Sequence, residues 1–261
     1  MPRFPIYQVA AFTNKPFQGN PAAVVPIDAW LPNEVMQRIA AENNLSETAF
    51  LVHRQNEEYE LRWFTPKTEI DLCGHATLAT TFVVFNYLNP AIAEVKFHTK
   101  SGMLTVTKED SLLTMTFPSR EGVPCDIPDA LVKGLGKKPK ELYLARDYLA
   151  VFDSEEDIRN LEIDIDALKK LDGFGVIVTA KGKEVDFVSR FFAPKAGIDE
   201  DPVTGSAHCT LVPYWKKILK KEEFVALQLS ERGGTLYCKD KGEQIQISGD
   251  AVVYLEGKIY I

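Results

Sequence analysis

The chain has 261 residues, with 30 Lys+Arg against 37 Asp+Glu for a net charge of −7, and is 45% apolar and 26% charged. That mix belongs to a globular protein of one large or two ordinary domains and excludes a disordered or fibrous chain. An acidic chain without a dense basic patch also lacks the footprint of phosphate-backbone binding, so no nucleic-acid partner is expected.

Met1 to Pro5 leads directly into alternating strand-like sequence without the tripartite pattern of a signal peptide, which makes cytoplasmic the expected location. Enrichment in β-branched and aromatic residues between turn signals predicts strands at Ile6 to Phe12, Ala22 to Pro26, Thr48 to His53, Tyr59 to Phe64, Glu94 to Thr99 and Leu104 to Lys108. Helices are predicted at Pro32 to Asn43 and at Gly74 to Asn86. The second is apolar almost all round, the mark of a helix buried inside its domain. Its most apolar part, Ala76 to Phe85, falls far short of the ~20 residues that cross a bilayer, so no membrane span is expected. Proline, glycine and charge from Pro118 to Lys140 mark a boundary region, with a short helix at Asp129 to Gly134. Beyond it come a second buried helix from Ser206 to Lys220 and strands at Leu227 to Ser230, Thr235 to Lys239, Gln244 to Ser248 and Ala251 to Tyr260.

The four cysteines (Cys73, Cys125, Cys209, Cys238) and four histidines (His53, His75, His98, His208) are scattered, without C-x-x-C or H-E-x-x-H spacing. No P-loop, G-x-G-x-x-G or G-x-S-x-G is present. The expectation is a protein with no metal and no cofactor.

An internal repeat is the strongest signal. Arg62-Trp63-Phe64-Thr65-Pro66-Lys67-Thr68-Glu69-Ile70-Asp71 matches Arg190-Phe191-Phe192-Ala193-Pro194-Lys195-Ala196-Gly197-Ile198-Asp199 at six of ten positions, at an offset of 128, near half the chain. Each segment leads into a helix opened by small residues, Cys73-Gly74-His75 and Thr204-Gly205-Ser206, the second after a three-residue insertion. A weaker match at offset 127 pairs Asn20-Pro21-Ala22 with Asp147-Tyr148-Leu149. The expected architecture is therefore α+β: two pseudo-symmetric domains, each a mixed β-roll around a central helix. The domains are expected at residues 1–118 and 119–261, with the last strand able to pair back to the first domain.

Free amides at a helix start favour anions, so the paired starts at Gly74 and Gly205 suit a small carboxylated ligand held in an interdomain cleft without any arginine. Glycine and serine also cap helices where no ligand binds. Offset 127 sets Glu47 opposite Phe174, leaving an acid in one half only, placed to shuttle a proton. The inserted Glu200-Asp201-Pro202 is a second asymmetry, able to complete an acid–base site with Glu47 and His75. At a helix start, His75 is expected to have a lowered pKa and to act as a neutral hydrogen-bond partner.

Phe17-Gln18-Gly19-Asn20-Pro21-Ala22-Ala23-Val24, Asn44-Leu45-Ser46-Glu47-Thr48-Ala49-Phe50, Phe64-Thr65-Pro66, Asp71-Leu72-Cys73-Gly74-His75-Ala76-Thr77 and Asp201-Pro202-Val203-Thr204-Gly205-Ser206-Ala207-His208 resemble the phenazine-biosynthesis PhzF-like isomerases. The resemblance runs from the first strand to the C-terminus. It implies a diaminopimelate-epimerase-like fold and a cofactor-independent, commonly dimeric isomerase that moves a proton on a small carboxylated substrate. Carried over residue by residue, it makes Glu47, His75 and Asp201 catalytic and assigns Asn20, Ser46, Gly74, Gly205 and Ser206 to substrate binding. Racemases of the wider superfamily use two opposed thiols. Here Cys73 stands where the first would fall, but Asp201 to Thr204 contains no second, which disfavours that chemistry.

Overall fold

The computed structural model describes residues 1–261. The chain forms two compact units, one of residues 1–116 with 248–261, the other of residues 117–247.

In the first unit β1 (Arg3–Ala11) pairs antiparallel with β2 (Asn20–Ile27), and α1 (Asn33–Asn43) crosses over to β3 (Glu47–His53), which runs parallel to β2. β4 (Glu58–Phe64) returns antiparallel and carries the short β5 (Glu69–Ile70). α2 (Gly74–Val83), extended by a π-helical turn over Val84–Leu88, leads to β6 (Glu94–Thr99), parallel to β4. β7 (Gly102–Glu109) and β8 (Leu112–Pro118) follow as antiparallel neighbours. Strand β8 lies outside the sequence-based expectations, although its alternation, with Leu113, Met115 and Phe117 buried, is the period-2 pattern of a strand.

In the second unit β9 (Val123–Pro124) pairs with β10 (Glu141–Leu144) across α3 (Asp129–Leu135), and β10 pairs antiparallel with β11 (Tyr148–Val151). The short helices α4 (Glu155–Arg159) and α5 (Ile165–Leu168) precede β12 (Val176–Lys181), parallel to β11, and β13 (Phe187–Phe192) returns antiparallel. A 3-10 turn at Gly205–Ala207 opens α6 (His208–Leu219), which leads to β14 (Glu223–Gln228), parallel to β13, then β15 (Gly234–Asp240) and β16 (Gln244–Gly249). The last strand, β17 (Ala251–Tyr260), belongs to the first unit, where it pairs with β1 from Arg3 opposite Tyr260 to Ala11 opposite Ala251.

Helices cover the strands of each unit. In the first unit Met36, Ile39 and Ala40 of α1 cover Val25, Phe50 and Phe64, while α2, with eight of its ten residues buried, packs on β1, β2, β3 and β17. In the second, Leu131, Leu135, Ile158 and Leu168 join Ala150, Val178 and Phe192 in one cluster. Burial at roughly 25 cal/mol per Å² makes these clusters the main stabilising term of each unit.

The strand registers revise the internal alignment. Phe50 faces Arg62 and Val178 faces Arg190, so β3 and β4 match β12 and β13 at offset 128, which gives Glu47 the counterpart Gly175 and not Phe174. Val24 lies beside Ala49 and Leu149 beside Ile177, so the preceding strand matches at offset 125 and not 127. The insertion also moves. Arg62 forms a two-pronged ion pair with Glu69 at 2.7 and 2.9 Å, and Arg190 forms the same pair with Glu200 at 2.7 and 2.9 Å. Each guanidinium lies over a phenylalanine two residues on, Phe64 or Phe192. Glu200 therefore does what Glu69 does, bracing the arginine of its own unit. From there offset 131 runs to Gly74 and Gly205, setting Asp201 opposite Ile70 and Ser206 opposite His75.

Candidate active site

Three local devices bring the first unit's polar residues together. Gly19 sits at φ +69°, where a Cβ would meet the Ala11 carbonyl oxygen at 2.3 Å, so only glycine turns the chain there. Asn20 follows as the first residue of β2 and is fully buried. α1 ends on Asn44 in the left-handed region, and three residues later β3 opens with Glu47, only 4% exposed. Cys73 is extended at φ −144° and gives α2 no side-chain cap, leaving the first-turn amides at Gly74 and His75 without that partner.

The geometry that results is compact. His75 Nε2 is 2.8 Å from Glu47 Oε2, and its Nδ1 is 3.1 Å from the Asn20 amide nitrogen and 3.5 Å from Cys73 Sγ. All four side chains are buried. Desolvation pulls the His75 imidazole toward its neutral form, but its close contacts with Cys73 and Glu47 outweigh it and hold His75 well above its ordinary value. This corrects the expectation of a lowered pKa: a carboxylate in contact at 2.8 Å acts more strongly than a helix dipole. Burial, then the Glu47 charge, push the Cys73 thiol up to about 11, so it is a neutral thiol near pH 7. Asn20, assigned to substrate binding by the resemblance, has its amide on the His75 ring. Ser46 is half-buried just ahead of Glu47.

In the second unit Asp201 is 8% exposed, and its Oδ2 accepts a 2.5 Å hydrogen bond from Thr204 Oγ1. Gln228, fully buried on β14, locks this loop: its amide donates to the Asp201 carbonyl at 2.8 Å, and its oxygen accepts from Thr204 N–H at 2.8 Å. Gln228 was not among the expected residues, and no local motif marks it. Gly205 and Ser206 open the 3-10 turn ahead of α6. Ser206 Oγ accepts from Arg146 Nη2 at 3.2 Å, while Arg146 is held by Asp147 at 2.8 Å and lies 4.7 Å over the Phe174 ring. An arginine thus stands at this helix start. His208, one turn further, is fully buried and donates from Nδ1 to the Thr204 carbonyl at 3.0 Å.

These features define an α+β protein of two units, the first with a buried glutamate–histidine pair at the uncapped start of its enclosed helix. The same fold is found in a hydroxyproline epimerase from Agrobacterium vitis, with TM-score 0.63 over 98% of this chain and 92% of that one at 10% identity. The phenazine biosynthesis-like protein family matches residues 9–257. An uncharacterized isomerase of Pseudomonas aeruginosa is 50% identical over 256 residues, covering 98% of both chains. A crystal structure of a PhzF-family phenazine biosynthesis protein from Enterococcus faecalis superposes with TM-score 0.97 at 49% identity over 100% of both chains. The chain belongs to the phenazine biosynthesis-like (PhzF) family. No helix is long and apolar enough to cross a membrane.

Proposed function

We propose that the protein is a cofactor-independent isomerase that shifts a proton between carbons of a small carboxylated metabolite, with Glu47 as the acid–base residue. The observation that carries this reading is the buried ion pair of Glu47 with His75 at 2.8 Å beside the uncapped amides of α2. Those amides supply donors for a substrate carboxylate, and the Glu47 carboxylate, held beside His75, is the base that takes the proton from carbon. His75 then stabilises the developing enolate oxygen with its N–H, and the same glutamic acid returns the proton to another carbon. Asp201, Gly205 and Ser206 join the proposal on the family resemblance, as does a homodimer in the cytoplasm. The paired Arg62–Glu69 and Arg190–Glu200 bridges further support descent of the two units from one duplicated ancestor.

The test is proton NMR of the protein with a panel of unsaturated, amino and hydroxy acids in D₂O. A substrate acquires deuterium at carbon with wild type, and Glu47→Gln loses about 10² to 10⁴-fold in rate while still binding the acid. Undiminished exchange in Glu47→Gln refutes the assignment. The Cys73 to His75 contact at 3.5 Å favours one second reading, a cysteine-type racemase or epimerase in which the Cys73 thiolate is the base. Loss of exchange in Cys73→Ser together with retained exchange in Glu47→Gln selects that reading.

A further inference from the structure

Beside the ion pair, the same corner of the first unit holds a soft sulfur ligand that the proton shuttle does not use. The donor atoms of Glu47, Cys73 and His75 all lie within 4.8 Å of one another, and each residue is more than nine-tenths buried. His75 Nε2 is 2.8 Å from Glu47 Oε2 and 3.9 Å from Cys73 Sγ. A tetrahedral ion with Zn–N and Zn–O of about 2.0 to 2.1 Å and Zn–S of about 2.3 Å requires ligand edges of about 3.3 Å for N···O and about 3.6 Å for S···N. The ion pair therefore has to open by about 0.5 Å, and the thiol, which lies beside the ring at 3.5 Å from Nδ1 and 3.9 Å from Nε2, has to turn about its Cα–Cβ bond to the Nε2 side to meet an ion there.

We propose that Glu47, Cys73 and His75 form a binding site for a thiophilic divalent cation of the Zn²⁺ class, and that its occupation shuts off the site. The donor set selects the ion. Thiolate with imidazole favours zinc-like metals over Mg²⁺ or Ca²⁺, which seek oxygen. Charge also balances: a carboxylate, a thiolate and a neutral imidazole around a dication sum to zero, as buried groups require. On binding, the thiol gives up its proton and the imidazolium its Nε2 proton, both to water, and the metal takes their places. Asn20 completes the arrangement from outside. Its side-chain amide lies 3.1 Å from Nδ1, and turning it over presents the oxygen to Nδ1–H, the usual support for a metal-bound histidine. The fourth position falls to water or to a substrate carboxylate.

The coordination stands independently of the isomerase reading; only the inhibitory consequence rests on it. The first arm is an optical titration of the full chain with Co²⁺ and no substrate. Wild type is expected to show tetrahedral d–d bands and a thiolate-to-cobalt charge-transfer band, both displaced by Zn²⁺. Cys73→Ser is expected to lose the charge-transfer band and to weaken Co²⁺ at least about tenfold, because loss of an outer-shell partner alone costs about 10- to 100-fold. Asn20→Ala is expected to keep the band at weakened affinity. Cys125→Ser, which removes the half-buried thiol of the other unit, is expected to match wild type. Circular dichroism of each variant separates loss of the site from loss of the fold, and Cys73→Ala serves if the serine variant is misfolded. A wild-type spectrum without charge transfer, or a band lost with Cys125 and kept without Cys73, overturns the metal site. The second arm is proton exchange in the presence of Zn²⁺. A cobalt band without zinc inhibition overturns the shut-off and, with it, the placement of Glu47 in the chemistry, but leaves the coordination standing.

Discussion

Acidification should destabilise the second unit through one residue, His208. The imidazole is fully buried, donates through Nδ1 to the Thr204 carbonyl, has no hydrogen-bonding partner at Nε2, and sits 5.9 Å from the Phe187 ring. A proton added at Nε2 would be a charge in apolar surroundings, and burial accordingly lowers the pKa from 6.5 to about 4. Above pH 6.5 both folded and unfolded chains carry a neutral ring and nothing is lost. As pH falls below 6.5 the unfolded chain takes up a proton that the folded chain refuses, so stability drops until about pH 4, where the folded form also accepts it. The full separation corresponds to about 3 kcal/mol, of which about 2 kcal/mol is expressed at pH 5. Carboxylates titrate over the same range, so the measurement is a difference between wild type and His208→Asn. Urea unfolding is followed by tryptophan fluorescence in a Trp30→Phe, Trp63→Phe background, so that Trp215, which stacks on Phe187 at 5.6 Å, reports this unit. The variant is less stable at pH 7 because it leaves a cavity, and the gap between the two proteins should shrink by about 2 kcal/mol between pH 7 and pH 5. A gap that stays constant to within about 0.5 kcal/mol would mean that His208 does not resist protonation, and the argument from burial would fall.

Three further outcomes follow from the packing. Glu200→Gln breaks a two-pronged ion pair and should cost about 1 to 3 kcal/mol in urea unfolding while changing kcat little; a large loss of kcat in a folded variant would return Glu200 to the chemistry. Gln228→Leu strands the Thr204 N–H and the Asp201 carbonyl, which should cost at least about 2 kcal/mol and, if Asp201 serves the reaction, lower kcat as well. Hydrogen exchange at the Thr204 amide reads the release of the loop directly, and an unchanged protection factor would contradict it. Gly19→Ala forces a Cβ to within 2.3 Å of the Ala11 carbonyl oxygen at positive φ, so it should destabilise the protein by more than about 1 kcal/mol and displace Asn20. A proton NMR spectrum of His75 identical to wild type would show that the Asn20 contact survives.

Much of the architecture was legible because it rests on local pattern. The apolar run from Ala76 to Phe85 marked the enclosed helix, small residues marked its start, and the match of Arg62 to Asp71 with Arg190 to Asp199 marked the repeat. Glu47, His75 and Asn20 were legible as a set through the family motifs, although their spacing along the chain, from 20 to 75, carries no hint of contact. Where the copies align was not legible to the residue. Sequence similarity slides by one or two positions across apolar strands, whereas hydrogen-bond register does not, and the register gave Glu47 the counterpart Gly175 and Glu200 the task of Glu69.

Composition and pattern by themselves determined that the chain is an acidic α+β protein with two buried helices opened by small residues, since burial periodicity and turn chemistry are written residue by residue. The protonation of His75, the lock that Gln228 places on the Asp201 loop, the arginine at Ser206 and the grouping of Cys73 with Glu47 and His75 were decided only in three dimensions. Each depends on the distance between groups far apart in the chain, and electrostatic and hydrogen-bond energies are set by that distance and by the exclusion of water around it.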